Sequence, residues 1–222
     1  MLAIGESLQI ISKAVRTAIE ERDKGFVQDL AQRQVAKGAQ MLDLNIGPQK
    51  KSGAEVMDWL VNTVQEVIDV PLSLDTTNPQ AIEVGLKVCK RKPMINSTNA
   101  APERMGVLFP LAAKHDANII ALTLRATGLP VTADARLEIL SEDLLPAIEQ
   151  YGVPLENVYI DPLVMTVNGT QEHAPEVPKA VRIFRQITDP PFHTTCGLSN
   201  VSNGAPRDVR PILNRVYLVI LM

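Results

Sequence analysis

Aromatic side chains make up only 4% of the 222 residues, too few for the stacking platforms that grip single-stranded nucleic acid. Positive charge is not in excess either. Twenty-two lysines and arginines against 25 aspartates and glutamates leave a net charge of −3, which argues against a phosphate-backbone partner. Two cysteines, Cys89 and Cys196, match no metal spacing and no disulfide framework, and a reducing cytoplasm suits them. The first residues lack the basic-then-apolar layout of a signal peptide. The apolar run Val216–Met222 falls far short of the ~20 residues a membrane-spanning helix needs, and it breaks off in mid-element. No G-x-G-x-x-G follows the first apolar run and no G-x-x-x-x-G-K-[ST] occurs, which weakens a nucleotide-binding open sheet.

What remains is an ordinary soluble composition, 45% hydrophobic and 21% charged, arranged with a regular rhythm. Short apolar runs predict strands at residues 2–6, 40–45, 71–75, 94–96, 118–124, 158–161 and 194–198. Amphipathic stretches predict helices near 12–22, 25–37, 53–68, 79–89, 102–114, 133–150 and 175–188, with another starting near Pro206. Seven strands alternating with helices imply a parallel sheet with helical crossovers. No linker or low-complexity stretch interrupts the rhythm, so residues 1–222 read as one domain.

The choice between an open sheet and a closed barrel turns on where polar residues fall. Glu6, Asp43, Asn45, Asp75, Asn96, Asp161, Ser199 and Asn200 all lie at or just past predicted strand ends. In a (β/α)8 TIM barrel those positions converge on the mouth that carries the active site. The fold class read from the pattern is therefore α/β, a TIM barrel. Such a barrel needs about 250 residues, so the eighth strand and its helix are expected to be missing and the domain truncated at its C-terminus.

Asp43, Asp75 and Asp161 follow apolar strand residues with no lysine or arginine beside them. Burying carboxylates is costly unless they are paired or hydrogen-bonded. Each alone could cap a helix, but three of them with Asn96 suit a ligand that presents several N–H donors. A 2-amino-4-oxo pterin does so, with an amino group and a ring N–H side by side. Mg²⁺ is the competing occupant, ranked lower because no paired-carboxylate motif or phosphate loop accompanies the aspartates. The loop Gly197-Leu198-Ser199-Asn200-Val201-Ser202-Asn203-Gly204 offers only amides and hydroxyls, which can orient a substrate but cannot act as a strong base. His115 lies near a helix end, where positive charge suits the dipole. His173 and His193 show no ligand spacing, and all three histidines read as surface or core residues.

Five segments in order, Leu42-Asp43-Leu44-Asn45-Ile46-Gly47-Pro48, Leu74-Asp75-Thr76-Thr77-Asn78, Ile95-Asn96-Ser97-Thr98-Asn99, Tyr159-Ile160-Asp161-Pro162 and Gly197-Leu198-Ser199-Asn200-Val201-Ser202, resemble the pterin-binding methyltransferases. The resemblance is specifically to the methyltetrahydrofolate:corrinoid/iron-sulfur protein methyltransferases of the acetyl-CoA pathway. It implies a pterin-binding TIM barrel that moves the N5 methyl of methyltetrahydrofolate to cobalt of a corrinoid (cobalamin) held by a partner protein. Related enzymes of O-demethylase systems run the transfer toward tetrahydrofolate. By the same resemblance Asp75, Asn96 and Asp161, with Asp43 beside them, would hold the pterin. Asn200 would reach N5, Gly197 and Ser199 would shape the loop, and Asn203 and Arg210 would add folate contacts. A cytoplasmic homodimer with no metal of its own is implied, with neither nucleic acid nor membrane as partner.

The chain departs from the family pattern at Glu6-Ser7-Leu8-Gln9, where Arg-Ile-Asn often follows the Gly-Glu pair. It has no Asp-x-His-x-x-Gly cobalamin motif and no cysteine cluster for the zinc that activates homocysteine. Dihydropteroate synthase is one alternative, but its Asn-x-Thr-Pro-Asp-Ser-Phe loop and late Ser-Arg-Lys are absent. A non-catalytic folate-binding module is the other.

Overall fold

The computed structural model describes residues 1–222. Its strands are β1 (Ile4–Gln9), β2 (Met41–Asn45), β3 (Leu72–Asp75), β4 (Met94–Thr98), β5 (Asn118–Leu122), β6 (Val158–Asp161) and β7 (His193–Thr194), hydrogen-bonded in sequence order. Its helices are α1 (Lys13–Glu20), α2 (Lys24–Ala36), α3 (Gly53–Gln65), α4 (Pro79–Val88), α5 (Pro102–Lys114), α6 (Ala133–Ile139), α7 (Leu145–Gln150), α8 (Glu176–Phe184) and α9 (Arg210–Leu221). The strand pairings β1–β2, β2–β3, β3–β4 and β6–β7 are parallel, as helical crossovers require. The fold is that of the α/β barrels, with seven strands present. No helix is long and apolar enough to cross a membrane.

The chain forms two compact units, residues Met1–Ser97 with Pro110–Ile119, and Thr98–Phe109 with Ile120–Met222. In the first, Leu42, Leu44, Leu72 and Leu74 alternate with polar residues along β2 and β3 and are at most 2% exposed. Asp23 caps α2 by accepting from Phe26 N–H, and Asn78 caps α4 by accepting from Gln80 and Ala81 N–H, with Pro79 opening the helix. Gly85 lets α4 sit close on β3, since a Cβ there would lie 2.8 Å from Leu74 Cδ1. In the second unit a core of Val164, Val177, Val201 and Tyr217 gathers Leu198, Cys196 and Leu221 around it.

Three expectations are corrected. The first strand does not end at Glu6; it runs to Gln9, and its pairing with β2 slips between Gly5 and Leu8, so that Glu6 and Ser7 occupy a bulge. The seventh strand does not reach Leu198. It is two residues long, and Leu198–Ser202 is a 3-10 turn, because serine and asparagine turn the backbone locally rather than extend it. The long helix predicted over 133–150 divides into α6 and α7 around a π turn at Leu140–Leu144. Pro146, just beyond, lacks the N–H that a regular α-helical ladder would use.

Candidate active site

The geometry begins with register. Residues at the same height of neighbouring parallel strands point the same way, and β2, β3 and β4 place Asn45 opposite Asp75 and Asp75 opposite Asn96. Gln9 of β1 is level with Asn45. Two residues earlier, Asp43 stands opposite Ser73. The sheet alternation thus gathers polar residues in two layers while Leu42, Leu44, Leu72 and Leu74 face the other way.

Asp43 is 5% exposed. Its Oδ1 accepts from Ser73 Oγ at 2.6 Å and from Asn96 Nδ2 at 3.0 Å, so it organises the layer above from beneath. Asn45 donates from Nδ2 to Asp75 Oδ2 and accepts from Gly47 N–H at 3.1 Å. Thr76 Oγ1 donates to Gly47 O at 2.6 Å, fixing the loop after β2 to the one after β3. No cation enters this cluster of acids. Burial, then the facing charge of Asp43, pushes the Asp75 pKa up to about 7, and a hydrogen bond between the two carboxyl groups adds to the rise. Burial also raises Asp43, partly opposed by Ser73 and Asn96. Glu6, on the bulge, is raised by crowding from the protein and by Asp43, although solvent still reaches its side chain.

In the second unit Asp161 ends β6 in a tight turn. Its Oδ1 accepts from Leu163 N–H at 2.8 Å, and its backbone carbonyl accepts from Thr123 N–H at 3.0 Å and Thr123 Oγ1 at 3.2 Å. The 3-10 turn brings together Asn200, Asn203 and Arg210. Asn203 Nδ2 donates to Asn200 Oδ1 at 3.4 Å, while Arg210 donates to Asn203 Oδ1 at 3.5 Å and to Ser202 Oγ at 3.3 Å. With its oxygen engaged, the exposed Asn200 has its NH2 group available as a donor. That group lies over Gly197, where a Cβ would approach Asn200 Nδ2 to 3.0 Å. Ser199 contributes its carbonyl, which accepts from Ser202 Oγ at 3.1 Å. Thr166 Oγ1 donates to Asn203 O at 2.5 Å and Val167 N–H to Val201 O at 2.9 Å, so the loop after β6 braces this turn.

The structure therefore unites Asp43, Asp75 and Asn96 in one cluster, and Gly197, Asn200, Asn203 and Arg210 in another, with Asp161 in a turn of its own. Sequence reasoning omitted Ser73, Gln9 and Asn45 from the site. Asn45 is a polar strand-end residue in the sequence, and its i+2 spacing from Asp43 on an alternating strand is the available signal. Ser73 gave none, because a serine between two leucines is common. No histidine joins either cluster. His115 follows the end of α5, where burial and the neighbouring Lys114 lower its pKa, and His193 stacks on Tyr159 at 4.8 Å. The acids are not grouped as metal ligands are.

Carboxylates with amides beside them and no cation suit a neutral heterocycle rich in N–H donors, and an amide loop suits orientation rather than proton transfer. Residues 12–217 match the pterin binding enzyme family, and the chain belongs to that family. Over its full length it is 31% identical to methylcorrinoid:tetrahydrofolate methyltransferase of Eubacterium limosum, 81% of which is covered. It is 30% identical over 98% of its length to methionine synthase of Mycobacterium tuberculosis, of which the match spans 19%. Among solved structures, dihydropteroate synthase of Thermus thermophilus in complex with 6HMPPP aligns over 99% of this chain and 82% of its own. Its TM-score is 0.64 at 19% identity. The synthase from Xanthomonas albilineans aligns over 99% and 81%, with a TM-score of 0.67 at 15% identity. At those identities the likeness concerns the fold.

Proposed function

We propose that this protein is a methyltransferase that moves a methyl group between N5 of a tetrahydrofolate and the cobalt of a corrinoid carried by a partner protein. The observation that carries the reading is the full-length 31% identity to methylcorrinoid:tetrahydrofolate methyltransferase. The direction in that name, from methylcorrinoid to tetrahydrofolate, is the direction proposed here, as in O-demethylase systems rather than the acetyl-CoA pathway. Neither Cys89 nor Cys196 is in a disulfide, which suits a cytoplasmic enzyme. A homodimer, implied by the family resemblance, completes the proposal.

The residues divide the work as follows. Asp75 accepts from the pterin amino group and ring N–H once its own proton has left, and Asn96, held by Asp43, sets the rim beside it. Asp161 accepts from a further pterin donor. Asn203 and Arg210 hold the folate beyond the ring and keep the Asn200 amide oriented, with Gly197 and Ser199 forming the turn beneath. Asn200 presents its side-chain amide to N5. On methylation the secondary amine N5 gains carbon and loses its proton, while cobalt keeps the electron pair of the Co–C bond. Reversal requires a proton at N5 as the C–N bond breaks, since an amide anion is a poor leaving group. Asn200 hydrogen-bonds N5 along this path and carries no proton. The proton therefore exchanges with water.

The test is direct. Purified protein, methylated corrinoid protein and tetrahydrofolate should yield methyltetrahydrofolate, with the cobalt spectrum changing from methylated to reduced at the same rate. Formation of dihydropteroate from a pterin diphosphate and p-aminobenzoate, with no cobalt change, would replace this function with the synthase reaction. Folate binding without either turnover would leave a binding module.

A further inference from the structure

Arg136, in α6, is the largest side chain among those fully buried, with 0% exposure. A buried guanidinium must find acceptors, and all of its acceptors are backbone carbonyls. Nε donates to Pro162 O, Nη2 to Leu163 O at 3.2 Å, and Nη1 to Val131 O at 3.0 Å and Thr132 O at 3.1 Å. Val131 and Thr132 lead into α6, whereas Pro162 and Leu163 are the two residues that follow Asp161. The turn they form is unusual for its sequence: Leu163 has φ +61°, a left-handed conformation that a branched side chain disfavours. Within that turn Leu163 N–H donates to Asp161 Oδ1 at 2.8 Å.

We propose that Arg136 is a positioning residue for Asp161. Its planar fork clamps the carbonyls of Pro162 and Leu163, the clamped turn presents the Leu163 N–H to Asp161 Oδ1, and the carboxylate is thereby held in the rotamer that meets the ligand. The inference rests on the reading of Asp161 as a pterin contact. Arginine is needed for its shape. Lysine carries the same charge, but its single ammonium cannot span carbonyls on both sides of a planar fork. Neither the sequence motif around Asp161 nor its spacing points to Arg136, which lies 25 residues earlier in α6.

The experiment is a double-mutant cycle on the full chain with Arg136→Lys, Asp161→Ala and both together. Affinity for methyltetrahydrofolate is read by calorimetric titration and stability by thermal melting. Coupled residues give non-additive effects. Arg136→Lys should weaken binding about tenfold when Asp161 is present and less than about twofold when it is alanine. Equal losses in both backgrounds, or a lower Tm with unchanged affinity, overturn the proposal. If Asp161→Ala binds as well as the unaltered chain, the pterin role of Asp161 falls first and that of Arg136 with it. Should Arg136→Lys fail to melt cooperatively, amide exchange on the unaltered protein decides. The Leu163 N–H should be protected as well as the interior of β6, and free exchange there refutes the clamp.

Discussion

Replacing Asp75 with asparagine should make the protein more stable near neutral pH and poorer at binding folate. The cause is the proton that Asp75 carries. When protonated, Asp75 shares a hydrogen bond with Asp43, and its Oδ2 accepts from Asn45. An asparagine reproduces both bonds permanently, with its NH2 toward Asp43 and its oxygen toward Asn45. For an acid whose folded pKa lies above the unfolded one, the stabilising contribution is present below pH 4 and is lost as pH rises to about 7. The rise from 3.8 to about 7 caps that loss at about 4 kcal/mol. Partial exposure and sharing of the proton with Asp43 reduce the expected gain at pH 8 to about 1–2 kcal/mol. Folate binding should move the other way. A charge-assisted hydrogen bond contributes about 1.5–3 kcal/mol, so affinity at pH 8 should fall roughly 10- to 150-fold. Urea unfolding at pH 5 and 8, with calorimetric titration of methyltetrahydrofolate, checks both limbs. An Asp75→Asn variant that keeps the pH slope of the original protein, or its full affinity, would refute the reasoning.

Three further outcomes are expected. Asn200→Ala should slow methyl transfer about 10²–10³-fold per bound substrate while the fold persists, as read by stopped-flow mixing with the corrinoid protein and a parallel binding titration. Losing affinity alone would make Asn200 a binding residue only. Gly197→Ala would place a Cβ 3.0 Å from Asn200 Nδ2. It should slow transfer through that amide with little change in Tm, and an unaltered rate would show that the amide tolerates displacement. Ser73→Ala removes the 2.6 Å bond to the buried Asp43, leaving that acceptor short of a donor. Stability should drop by about 1–3 kcal/mol, with the Asp43 pKa driven higher still; a neutral result in denaturant melts would indicate that water replaces the hydroxyl.

Much of this was written locally. Apolar runs with period two and helical stretches with caps such as Asn78-Pro79 follow from neighbouring residues, so the strand and helix order is legible in the chain. The polar strand ends are legible too, because a carboxylate closing a run of leucines and isoleucines is costly unless something nearby uses it. Register and curvature are not local. Whether Asp43 faces Ser73 or reaches Asn96 depends on how segments 30 and 53 residues apart slide against one another, and only the packed sheet fixes that. The shared proton on Asp75 arises from that pairing and from burial. The turn carrying Asn200 departs from an extended strand because the loop after β6 braces it from the side. Arg136 is the extreme case: within its own helix it reads as an ordinary surface charge, and only the folded chain, wrapping four carbonyls around it, gives it a place beside Asp161.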